Sequence, residues 1–258
     1  MLPKLRLAFG GSLSLIRFSK KLFAAVVGCI LCAANLPAED LPAIRPALIG
    51  SGPHSLVNLI DTEGLFRKGQ RDAWVMFNCV LLGDGVVSRY DLPTTAIQRS
   101  EGAEALKAEV SRALINTRFI PAVYGHRRPL FSRFSGTVIF AVLNGKPHLR
   151  VFANQDVDEL KRGSDFIAPQ SVFQTGSAFW PSSPGHGAYL GLGAIVKIRH
   201  SVDATGKTTD VKVLSESPAG EDFGQAAAEY VRGSVYLPAY RNGKPTASTL
   251  TYNVRFGR

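Results

Sequence analysis

The strongest constraint on this chain is a motif that occurs twice. Tyr236-Leu237-Pro238-Ala239-Tyr240-Arg241-Asn242-Gly243-Lys244-Pro245 leads into a strand-like run from Thr249 to Phe256. Earlier, Arg118-Phe119-Ile120-Pro121-Ala122 leads through a basic turn at His126-Arg127-Arg128 to Pro129 and a run from Phe131 to Phe140. Each copy is an aromatic-x-Pro-Ala element, a short basic turn, a second proline and a strand, so internal duplication is the first expectation. Pro121 and Pro238 fix φ where the chain leaves a helix and turns into its last strand.

The copies also agree upstream. The first has strand-like Trp74 to Leu82, an Asp84-Gly85 turn, Val86 to Tyr90 and a helix over Glu104 to Leu114. The second has Ala194 to Val202, a Thr205-Gly206 turn, Thr208 to Leu214 and a helix over Phe223 to Val231. From turn glycine to Pro-Ala proline is 36 residues (121 − 85) in one copy and 32 (238 − 206) in the other, a difference that one loop absorbs.

In this order of motifs the chain resembles the TonB carboxy-terminal domain family of Gram-negative bacteria. The pattern there runs strand, Asp-Gly turn, strand, helix, Arg-Phe-x-Pro-Ala, Asn-Gly-Lys-Pro, strand. The first copy keeps Arg118, Phe119, Pro121 and Ala122, followed by Pro129; the second keeps Tyr236, Pro238, Ala239, Asn242, Gly243, Lys244 and Pro245. The resemblance implies an α+β fold of two tandem small antiparallel sheets, each with one packed helix (strand-strand-helix-strand). It also implies a periplasmic protein that binds an extended peptide by strand addition, where main-chain bonds give affinity and alternating pockets give specificity. A full TonB-like energy transducer for outer-membrane transport and an envelope enzyme are the alternatives.

Residues 1–38 read as a signal peptide. They hold five bases and no acid, with an apolar run from Leu22 to Ala34 that is shorter than the ~20 residues a spanning helix needs. Cleavage after Ala34 or Ala38 fits the small residues there. Ile30 and Leu31 carry the run past Cys29, against lipoprotein processing. The family's transducers have a Ser and a His in their membrane helix, and Leu22 to Ala34 contains neither. Further along, the expected divisions are an irregular lead-in over 39–69, the first repeat over 70–153, linker and second lead-in over 154–188, and the second repeat over 189–258.

Removing the leader lowers the net charge from +10 to +5, and the remaining bases are scattered, which argues against nucleic acid. Cys79 alone would remain after cleavage, within an apolar strand, so it reads as a small buried hydrophobe. The five histidines have no mutual metal-ligand spacing, and His200 falls on an apolar strand face. Gly185, Gly187, Gly191 and Gly193 precede a strand, where no helix amides would meet a phosphate. No catalytic residue, metal or cofactor is therefore expected. The basic turns at Arg127-Arg128 and Arg241 to Lys244 read as solvated charge.

In the closing strand Leu250, Tyr252, Val254 and Phe256 point inward and Thr249, Thr251, Asn253 and Arg255 outward. That strand is the expected partner-binding edge, with those four polar residues as its contacts. The expected partner is a protein or peptide of the outer-membrane-receptor type. A homodimer, or pairing with the first sheet, is the competing use of the same edge.

Overall fold

The computed structural model describes residues 41–92, 100–174, 181–184 and 193–257; the signal peptide expected over 1–38 lies outside these. Strand β1 (Ile44–Arg45) is followed by short helices α1 (Leu56–Leu59) and α2 (Thr62–Arg67). The lead-in read as irregular is thus folded: Asp61 accepts from the Gly64 amide to start α2, and Ala47, Leu56, Ile60 and Leu65 are buried.

Strand β2 (Ala73–Leu82) runs antiparallel between β3 (Val87–Asp91) and β5 (Phe131–Leu143). Val75, Phe77, Cys79 and Leu81 are buried under α3 (Glu104–Asn116), whose Leu106, Val110, Ala113 and Leu114 form one buried stripe at helical spacing. The second face of β2, also apolar in sequence, is only partly covered: Met76 is buried, Val80 and Leu82 are half-buried and Trp74 is exposed. After α3 comes β4 (Val123–Tyr124), which pairs with β1. β6 (Lys146–Phe152) returns on β5 across an Asn144-Gly145 turn with φ of 52° and 73°, the left-handed pair that a two-residue hairpin needs.

Next come α4 (Val157–Arg162), β7 (Phe166–Ile167) and β8 (Gln170–Phe173). A smaller unit follows: β9 (Ala194–Val202), β10 (Thr208–Ser217), α5 (Phe223–Gly233), β11 (Val235–Leu237), β12 (Ala239–Arg241), β13 (Lys244–Thr246) and β14 (Ser248–Phe256). Its sheet has the order β10-β9-β14, antiparallel throughout, and Phe223, Ala227 and Val231 of α5 close its core over Val196 and Ile198.

Sequence led us to expect two separate small sheets, and the structure departs from that. The larger sheet runs β11-β8-β5-β2-β3 with β6 also on β5, so it takes strands from the presumed linker and from the Pro-Ala segment of the second motif. Leu237, fully buried, belongs to the first core. A buried Leu is worth about 1.5–3 kcal/mol, so this residue alone couples the two regions appreciably. Residues 41–258 form one compact unit.

Both turn glycines are required by geometry. Gly85 (φ +83°) and Gly206 (φ +91°) lie in the left-handed region, and a Cβ on either would collide with the carbonyl oxygen of Phe119 or Tyr236, respectively. Each glycine therefore seats the aromatic of its own aromatic-x-Pro-Ala element.

Candidate docking edge

β14 pairs with β9 along its whole length, from Ser248↔Val202 to Phe256↔Ala194, and its other side meets no strand among the described residues. Thr249, Thr251, Asn253 and Arg255 are exposed, Val254 and Phe256 are buried, and Leu250 and Tyr252 are half-buried. The alternation read from sequence is therefore the alternation of the strand.

The sheet has a second edge, β10, and the two differ. β10 is broken by register shifts between Thr208 and Asp210 and between Val213 and Ser215, irregularities of the kind that blunt an edge. β14 has none, so its free backbone groups form the continuous template that an added strand needs. In the larger sheet the outer side of β5 is used: β6 covers Thr137 to Leu143 and β8 covers Phe131 and Ser132.

The motif residues support this edge from behind. Tyr236 is buried, and its hydroxyl lies 3.0 Å from that of Tyr252 on β14. Pro238 and Ala239 are buried, and Asn242-Gly243 (φ 50° and 74°) forms the two-residue turn between β12 and β13, with Lys244 and Pro245 exposed. In the first copy Phe119 packs on Phe134 with ring centroids 4.8 Å apart, Ala122 and Pro129 are buried, and the Pro121 carbonyl accepts from Arg45 at 3.0 Å. Arg118 lies 3.5 Å from Asp84, an exposed pair of little energetic consequence.

The basic turn of the second copy is not wholly solvated. Arg241 donates two 2.8 Å hydrogen bonds to Glu159 of α4 and lies over the Phe166 ring at 5.0 Å. Glu159 also accepts from Arg162 (3.0 Å) and Ser164 (2.7 Å), and the Arg241 bonds foremost hold its pKa at about 2. Sequence gave no sign of this, because Asp158-Glu159 sits in a charged run that reads as surface.

His200 is fully buried on β9 between the rings of Tyr236 (4.8 Å) and Tyr252 (5.6 Å), and among the described residues neither ring nitrogen has a hydrogen-bond partner. Burial lowers its pKa to about 4, so the ring is neutral at pH 7. Cys79 is buried and its thiol is pushed up by desolvation, which leaves no thiolate for chemistry. Among the described residues no group of three or more His, Cys, Asp or Glu could hold a metal, and no helix is long and apolar enough to cross a membrane.

With strand order, turn glycine and Pro-Ala hairpin in place, comparison with protein families is decisive for one region. Residues 184–257 match the family Gram-negative bacterial TonB protein C-terminal. The match takes in β9 to β14 with α5, so the candidate edge is the last strand of a TonB C-terminal-like region. It is a single match, and it does not extend over the earlier motif. No curated protein matches the chain.

Proposed function

We propose that this protein is a periplasmic cell-envelope adaptor whose TonB C-terminal-like region captures an extended peptide of a partner, of the outer-membrane-receptor type, by strand addition at β14. The observation that carries the reading is the β14 edge within the segment that matches the family, unbulged and, among the described residues, unpaired on its outer side. The leader of five bases followed by an apolar run supports export. Inserting proline by Asn253→Pro removes a ladder donor from this strand and should abolish binding of a receptor-derived extended peptide. Circular dichroism must first show that the variant is folded; unchanged affinity in a folded variant excludes this edge.

The reading includes a tandem origin, supported by pairings that repeat in register. Ile44↔Tyr124, Arg45↔Val123 and Leu48↔Ile120 correspond to Phe166↔Arg241, Ile167↔Tyr240 and Gln170↔Leu237. The first members differ by 122 residues (166 − 44) and the second by 117 (241 − 124) in all three cases. Thr117 and Ser234, also 117 apart, end their helices alike, each hydroxyl donating at 2.8 Å to the carbonyl four residues back. In this reading β6 lies on β5 where a partner strand would lie on β14, so the first unit is filled by its own chain and the second is open.

A further inference from the structure

The face of the β10-β9-β14 sheet away from α5 is basic. Lys197 and Arg199 of β9, Lys212 of β10 and Arg255 of β14 are all exposed there, and none has a carboxylate partner among the described residues. Asp210, opposite Ser201, is the acid on the same face. Arg199 and Lys212 lie directly opposite each other on neighbouring strands. Like charges in that arrangement destabilise a sheet, and opposite-charge pairs stabilise it. The arrangement is relieved when an anion is brought to the face.

We infer that the partner strand at β14 is acidic on alternate residues, and that this open face selects it by charge. The inference rests on the strand-addition reading and gives its ligand a chemistry. A strand added to β14 lies about 4.8 Å from it and about 10 Å from β9. Every second side chain of that strand then stands on the open face. Beside Asn253 and Arg255, a carboxylate meets the Arg255 guanidinium. It also lies near one Debye length from Lys197 and Arg199, whose long side chains shorten the gap. The intervening side chains continue the row of Leu250, Tyr252, Val254 and Phe256, so they are apolar. The ligand class is an extended segment that alternates carboxylates with branched apolar residues.

Three labelled peptides of equal length test this by fluorescence anisotropy on the mature protein: Glu alternating with Val, Thr with Val, and Lys with Val. The expected order is Glu–Val severalfold tighter than Thr–Val, with Lys–Val weakest. Added salt should compress the difference, and the double variant Lys197→Glu, Arg199→Glu, shown folded by its thermal melt, should reverse it. Equal affinity for all three peptides overturns the charge inference and leaves the edge standing. Failure of all three to bind overturns the edge as well. Binding of anionic phospholipid vesicles with no preference among the peptides identifies the basic face as a membrane contact and overturns the inference.

Discussion

The side-chain carboxamide of Gln170 closes both backbone groups of Ala47: it accepts from the Ala47 amide at 2.8 Å and donates to the Ala47 carbonyl at 3.0 Å. Both residues are buried, and Gln170 pairs in turn with Leu237 across β8 and β11. One amide thus acts as a strand partner for the lead-in of the first motif while its backbone serves the second.

Gln170→Leu should therefore destabilise the chain well beyond the loss of one ordinary hydrogen bond. It leaves a buried donor and acceptor unsatisfied, at about 1–3 kcal/mol each. The urea midpoint should fall clearly, in a single transition if the two regions unfold together. An unchanged midpoint would show that water satisfies Ala47 equally well.

Glu159 anchors the basic hairpin and makes stability depend on acid pH. Its folded pKa of about 2 lies below the ordinary 4.5, so its contribution is present above pH 4.5 and is lost as pH falls through the folded value. In melts taken from neutral pH downward, wild type should lose stability below pH 4.5 more steeply than Glu159→Gln. Parallel curves for the two proteins would contradict this.

His200 acts in a higher window. Its pKa falls on folding from 6.5 to about 4, so the neutral ring's contribution is complete above 6.5 and shrinks as pH drops towards 4. The groups facing it are the Tyr236 and Tyr252 rings, with Val211 and Leu250 opposite on the flanking strands, and among the described residues no carboxylate contributes to its shift. His200→Leu should flatten the melting temperature between pH 6.5 and 4. If the variant retains the wild-type slope there, the buried ring is not its source.

The local parts of this fold were legible because they are periodic or conformationally unusual. Alternation marked β9 and β14, the repeated motif order marked α3 and α5, and the Asp84-Gly85 and Thr205-Gly206 turns marked two places where a glycine takes positive φ. The links between the two regions were not legible. Gln170 to Ala47 and Arg241 to Glu159 join side chains to groups 123 and 82 residues away, and such bonds leave no period in a sequence. The same reason hid β8, a four-residue strand defined by what lies on either side of it. The polar face of the candidate edge could be read in advance; the bulges that distinguish β10 from it could not.

The proposed signal peptide would set the compartment in which any of this operates. Intact-mass measurement of the native protein should give a mature start at Asn35 or Glu39, in the soluble periplasmic fraction. A species retaining Met1 in the membrane fraction would contradict the proposed leader and favour an anchored transducer.

The central claim, that β14 is the strand that receives the partner, is tested most directly by amide hydrogen exchange with and without saturating extended peptide. The account predicts slower exchange concentrated in Ser248–Phe256, with β10 unchanged. Protection confined to β10, or peptide binding that leaves β14 exchange unaltered, would contradict it.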